Sequence, residues 1–330
     1  MVSADATFPS FACWAIGQSV LAWWLFEPPT SSVPGVLRKI VPKMLSKESR
    51  RNVAACYEKK LRPHLPPGVK KTEEELVDVW TETSFCFSIN HGIGGILMFL
   101  GMKNGMPGVW RIGLTFETGE DIMHFTEMGL ALAFGIGPAV KWDKFRYVFL
   151  ALHHALGLLA GIPAYFLLAD NYDVQNLCFL LLGAPVPMMA ASAVLELYDL
   201  SKPGPPFRLS QVLGVLNCIW WMYCRFVVFL PTVWRVIPMV FADHGLKIGI
   251  PMSFAILCFC LFNLAATAGM VNDLKGMFFG DDAADKAVSL GRALDGSAGH
   301  RVQIRRMHSF SLGSKITEHP VLKRAKTTLD

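Results

Sequence analysis

Charge is what this chain has least of. Asp, Glu, Lys and Arg make up 17% of its 330 residues, against 52% hydrophobic residues and a mean hydropathy of +0.38, a balance outside the range of ordinary soluble domains. The charges are also clustered, leaving long stretches with none, which excludes one large soluble core in favour of a polytopic membrane protein. Cysteine pairing is missing too. None of the eight cysteines forms a CxxC pair, and seven of them (Cys13, Cys86, Cys178, Cys218, Cys224, Cys258, Cys260) sit inside apolar runs, so neither a disulfide framework nor a structural zinc site is indicated. No basic residue precedes the first uncharged run, 6–26, which is too long for a signal-peptide core and reads as a retained anchor. The last apolar run, 248–271, contains no lysine, and so lacks the Schiff-base residue that a retinal protein needs.

What is present is a series of apolar stretches separated by polar ones. The first ends at Glu27, Pro28 and Pro29, where prolines stop a helix. A basic segment follows, carrying Arg38, Lys39, Lys43, Lys47, Arg50, Arg51, Lys59, Lys60, Arg62, Lys70 and Lys71. It reads as a cytosolic linker, partly helical and lying on anionic lipid. The positive-inside rule already accounts for its charge, so nucleic-acid binding is not expected, and its length is awkward for a G-protein-coupled receptor. Further spans are expected at 83–102, 113–135, 147–169, 174–195, 209–231 and 248–271, the fifth of the seven broken by Pro185 and Pro187. With alternate loops assigned to opposite sides, 26 of the 31 Lys and Arg fall on the inner segments and four on the outer ones. This predicts seven crossings with a lumenal N-terminus and a cytosolic C-terminus. The tail is polar with few aromatics and reads as disordered; within it Ser309 and Ser311 follow Arg305 and Arg306, which reads first as a plain basic tail, with a phosphorylation-sensitive membrane-binding patch as the alternative.

Against this background the polar residues inside the spans stand out. His153 and His154 lie side by side in a run, 147–169, that has no Asp, Glu, Lys or Arg, and intramembrane ionisable groups mark sites by default. Glu117, Glu120, Asp121, His124 and Glu127 fall within roughly 120° of one helix circumference at 100° per residue, forming one polar stripe. Asn90 and His91 precede Gly92, Gly94 and Gly95, small residues that let helices approach closely. His91, the stripe, the His pair and Arg225 are expected to converge on the bundle interior, with Arg225 pairing Asp121 or Glu120. Such a network can simply fix packing. It can also act, with one imidazole as base or acyl-carrying nucleophile, Asp121 orienting it and Arg225 holding a carboxylate or phosphate. Adjacent helical residues point about 100° apart, so one histidine of the pair should face the reactive centre. Asp121-x-x-His124 is a single His-carboxylate pair, whereas di-iron bundles use a Glu-x-x-His on each of two helices; no resident metal is expected.

The order of His91, Asp121, His153-His154, Glu196, Asn217, Arg225 and Pro231 along successive helices, over about 81–274, resembles the TLC-domain membrane proteins, relatives of the ceramide synthases. The resemblance implies an all-α polytopic bundle: an N-terminal transmembrane helix (1–27), a basic linker (28–80), a six-helix membrane domain (81–276) and a cytosolic tail (277–330). It also implies an endoplasmic-reticulum or connected membrane, membrane lipids as partners and a homodimer as candidate assembly. His153 and His154 match the family's catalytic histidines, with Asp121 beside them. His91, Glu117, His124, Glu196, Asn217 and Arg225 complete the expected site as substrate-binding groups. Where ceramide synthases show a second His-Asp motif, this chain reads LELYDLSKP, with Glu196 and Asp199. The implied activity is acyl transfer from acyl-CoA, a co-substrate and not a bound cofactor, to a lipid amine or hydroxyl. The alternatives are a non-enzymatic lipid-binding, sensing or cargo-escort protein and, on the strength of the Pro-broken fifth helix, a transporter.

Overall fold

The computed structural model describes residues 8–25, 35–61, 70–136 and 144–279. It is helical throughout, with no strand among the described residues. Residues from 280 onward, with Ser309 and Ser311, lie outside them, as do Lys141, Pro28 and Pro29. The helices are α1 (Phe8–Leu25), α2 (Val36–Met44), α3 (Lys47–Leu61), α4 (Glu73–Trp80), α5 (Phe87–Lys103), α6 (Pro107–Phe134), α7 (Lys144–Leu167), α8 (Tyr172–Leu182), α9 (Val186–Leu195), α10 (Pro205–Met222) and α11 (Phe229–Phe279). Two π-helical turns, Thr81–Cys86 and Tyr223–Val228, join α4 to α5 and α10 to α11 without a break.

Four stretches are long and apolar enough to cross a membrane: Glu73–Lys103, Leu150–Leu167, Tyr172–Leu195 and Pro205–Asn272. The protein is therefore a multi-pass membrane helix bundle. Its outer surface agrees, since Leu132, Trp234 and Leu261 are 79%, 82% and 67% exposed, an arrangement suited to lipid and costly in water.

The last of the four stretches is too long for one crossing, and it folds back on itself. Gly245 has φ 66°, ψ −166° inside α11, a conformation that side-chain-bearing residues rarely adopt. Residues at matching distances on either side then meet: a Cβ on Gly249 would lie 2.5 Å from the Phe241 ring, and Trp221 Nε1 donates to Thr267 Oγ1 at 2.8 Å. The sixth span was expected to stop near Pro231; instead the helix runs on to this hairpin. The π turn at Tyr223–Val228 re-registers the backbone just ahead of Pro231, which is where a missing N–H and a ring clash can be absorbed.

The break in the fifth span falls where its prolines put it, with α8 ending at Leu182 and α9 starting at Val186. The described parts of the basic segment, 35–61 and 70–80, are mostly helical. Val41, Val53, Ala54, Tyr57, Leu76, Val77 and Trp80 of α2, α3 and α4 form their own apolar cluster, and α4 opens on a capping box in which Thr72 and Glu75 satisfy each other's backbone N–H groups. Arg38 ties α2 to α4 through a two-pronged pair with Asp78, and Asn52 donates to the Leu197 carbonyl at 3.1 Å, docking α3 on the end of α9.

The centre of the membrane bundle is α6. It packs on α5, α1 and α7, and glycines make each approach possible. A Cβ on Gly113 would lie 2.6 Å from Met98 N, and one on Gly94 would lie 2.9 Å from Phe116 Cβ. On the opposite side Ser19 of α1 donates to the Gly119 carbonyl at 2.6 Å.

Candidate functional site

Because α5 and α6 touch backbone to backbone at Gly94 and Gly113, the side chains one turn away are forced together. His91 Nδ1 lies 2.6 Å from Glu117 Oε1, and its Nε2 lies 3.4 Å from Glu120 Oε2. Glu117 and Glu120 are three residues apart on α6 and so share a face. Asn90, next to His91, donates to Glu120 Oε2 at 2.7 Å and fixes that carboxylate.

The next residue of the stripe serves the other neighbour. Asp121 Oδ1 lies 2.5 Å from His154 Nδ1 on α7, and both side chains are nearly buried, at 11% and 5% exposure. Gly157, one turn along from His154, makes room for this contact, because a Cβ there would come within 2.6 Å of Asp121 Oδ2. His124 stacks on His154 with ring centroids 4.5 Å apart. His154 Nε2 is buried with no hydrogen-bond partner among the described residues. An imidazole held through Nδ1–H by a carboxylate presents Nε2 as an acceptor, so the pair has the form of an oriented general base.

The fold thus separates the two adjacent histidines of α7. His154 faces the acidic stripe, whereas the His153 ring lies against Phe259 and Phe262 of α11, at centroid distances of 6.2 and 5.6 Å. Of the expected site residues, His91, Glu117, Asp121, His124 and His154 come together, and Glu127 is buried on the same helix.

Arg225 does not pair with Asp121 or Glu120 as the sequence suggested. Its Nη2 donates to the Leu181 carbonyl at 2.6 Å and its guanidinium lies 4.6 Å over the Trp221 ring. Trp220 Nε1 likewise donates to the Ala184 carbonyl at 2.7 Å. Both carbonyls belong to the broken junction between α8 and α9, where the helix end leaves acceptors without intrahelical partners and carries partial negative charge. Arg225 and Trp220 cap that end. Asn217 is half-buried on α10 and makes no hydrogen bond with the stripe, and Glu196 is buried at the C-terminal end of α9. Asp199 sits in an exposed turn, where hydrogen bonds from Ser201 hold its carboxyl down to about 2.

Glu120, Asn90 and Gly157 belong to this site although sequence reasoning did not name them as site residues. Glu120 was visible as a member of the stripe and Asn90 as the neighbour of His91. Gly157, at the fourth position after His153 in the HHALG stretch, carried the only signal for its own role: a residue without a side chain one turn from the histidines.

Two cavities open near the bundle surface. One, of about 450 Å³, is lined by Trp14, Met106, Arg111 and Tyr165 among others, and one of about 230 Å³ by Phe99, Phe179, Trp220 and Tyr223 among others. Neither is lined by His153 or His154. Comparison with known proteins supplies no relative: no family model, no curated protein and no solved structure matches the chain.

Proposed function

We propose that this protein is a lipid-handling membrane enzyme of the TLC type that moves a fatty acyl group from acyl-CoA to a lipid amine or hydroxyl. The observation that carries this reading is the buried His154–Asp121 pair, 2.5 Å apart, with Nε2 of the imidazole left open. Asp121 accepts the Nδ1 proton and fixes the tautomer. Nε2 then takes the proton of the lipid nucleophile as its nitrogen or oxygen attacks the thioester carbonyl. The tetrahedral intermediate collapses with loss of CoA thiolate, which recovers the proton from the imidazolium. His153 shapes the apolar wall of the site through Phe259 and Phe262.

The membrane topology belongs to the same reading. α1, the stretch Glu73–Lys103, α6, α7, the α8–α9 pair and the two arms on either side of Gly245 make seven crossings, and the Lys and Arg distribution supports a lumenal N-terminus in the endoplasmic reticulum or a connected membrane. Glycosylation-site mapping of the loops tests this; an even number of crossings would overturn it.

The enzymatic claim is tested by lipidomics of cells expressing the wild type, His154→Ala or His153→Ala. A product lipid that disappears with His154→Ala is the expected result. Identical profiles for all three and for empty cells overturn it. One observation favours a second, non-catalytic reading, in which the bundle binds or senses a lipid: neither of the described cavities reaches the His pair. A copurified lipid lodged beside Arg111 and Tyr165, with no turnover, would select it.

A further inference from the structure

We propose that His91, Glu117 and Glu120 form a binding site for a divalent transition-metal ion, buried between α5 and α6. One ligand atom from each of the three lies within 4.8 Å of the other two. Metal–ligand bonds of about 2.0–2.2 Å place the atoms around one ion within that span after only a small inward movement. Spacing along the sequence singles out Asp121-x-x-His124 instead; the set that the fold assembles takes its histidine from a different helix.

Charge balance points the same way. Glu117, Glu120 and Asp121 are three carboxylates within five positions of one buried helix, and no Lys or Arg among the described residues approaches any of them at ion-pair distance; their partners are His91, His154 and the uncharged amide of Asn90. Carboxylates in an apolar interior are costly without compensating charge, and one divalent ion neutralises two of them. A second feature is independent of the acidic groups. His154 is 4% exposed, lies within electrostatic reach of Glu120, His91 and Glu117, and keeps Nε2 without a hydrogen bond. That nitrogen is not one of the three ligands; it is an acceptor for a water that the ion carries.

The surroundings fit a metal site in a further respect. Ligating carboxylates are normally fixed by a further hydrogen bond, and Asn90 provides one to Glu120 Oε2 at 2.7 Å. One imidazole with two carboxylates suits zinc, manganese or ferrous iron; an all-oxygen set would suit calcium or magnesium, and thiolates copper(I). Binding replaces the close His91–Glu117 contact with two metal bonds and leaves the imidazole neutral.

The claim is independent of acyl transfer and is tested without activity. Full-length protein, purified in detergent and stripped with EDTA, is incubated separately with Zn²⁺, Mn²⁺ and Fe²⁺, then desalted and assayed for metal by mass spectrometry. One ion per chain is expected for at least one of the three metals. His91→Ala and Glu120→Gln should abolish retention, and Asn90→Ala should weaken it roughly 10- to 100-fold; His244→Ala, at the distant hairpin, should leave it unchanged. Should a variant fail to fold, the wild type alone decides through its Mn²⁺ form, whose electron spin-echo spectrum shows ¹⁴N modulation if an imidazole coordinates. Wild-type protein that stays metal-free with all three ions overturns the proposal, as does retention unaffected by Glu120→Gln or a manganese spectrum without nitrogen coupling.

Discussion

Two regions of this molecule hold their helices together through carboxylates, and they give those carboxylates different partners. In the α2–α4 unit the cation is arginine: Arg38 meets Asp78 on two atoms and Glu82 at 3.6 Å, in partly exposed surroundings. Between α5, α6 and α7 the partners of the carboxylates are histidines, in surroundings closed to solvent. Arginine stays charged at any relevant pH and makes a permanent fastener. Histidine can give up its proton, so the interior network can change its charge without moving its helices. The difference separates a part built to hold from a part able to exchange protons or ligands.

The largest effect should come from disabling the interior while preserving its shape. Asp121→Asn keeps the volume but presents an amide to His154 Nδ1, favouring the wrong tautomer; product formation in the lipid assay should fall by about 10³- to 10⁴-fold, by analogy with the loss of an orienting aspartate in a catalytic triad. Equal rates for wild type and variant would remove Asp121 from the chemistry. Gly157→Ala comes next. Its new Cβ would press on Asp121 Oδ2, and overpacking of this kind costs typically about 1–3 kcal/mol, read as a lower unfolding midpoint in detergent together with lost activity. An activity loss without that destabilisation would mean that the carboxylate simply moved aside.

Removing one partner from each region sharpens the contrast directly. Glu117→Ala leaves a buried His91 nitrogen short of its partner, at a cost of about 1–3 kcal/mol, whereas Arg38→Ala should cost about 1 kcal/mol or less because water reaches Asp78 and Glu82. Chemical denaturation of both variants in the same detergent ranks them, and the reverse order would contradict the assignment of the buried network as the tighter one. The smallest effect belongs to Asp199→Ala. Its carboxyl is held at about 2, below its ordinary 3.8, so the ionised form is favoured in the fold. That small stabilisation is present above about pH 4 and fades as pH falls through about 2. The unfolding midpoints of variant and wild type should therefore differ slightly at neutral pH and converge at about pH 2; a difference that grows on acidification would contradict the Ser201 interaction.

Much of this architecture is legible in the chain. The apolar stretches mark the helices, Pro185 and Pro187 mark the break, and the 100° spacing of Glu117, Glu120, Asp121 and His124 puts them on one face before any coordinates exist. What is not legible is which neighbour each face meets. His153 and His154 differ only in angle about α7, and only the placement of α6 and α11 decides which of them receives the carboxylate. Charge alone matches Arg225 with an acid, whereas its partner is a backbone carbonyl freed by prolines on another helix. Such acceptors carry no letter of their own in a sequence. Pro231 looked like a stop for a similar reason, since a π turn just before it has no compositional mark.

The unbroken run from Glu73 to Lys103 has a mechanical consequence. A rod of 31 residues, roughly 46 Å at 1.5 Å per residue, begins in the Arg38-fastened unit and carries His91 on its far half. The Asp78 contact and the His91 contact thus lie on one continuous rod, interrupted only by the wider turn at Thr81–Cys86. Any rotation of the basic helices that turned this rod would shift His91 against Glu117 and Glu120.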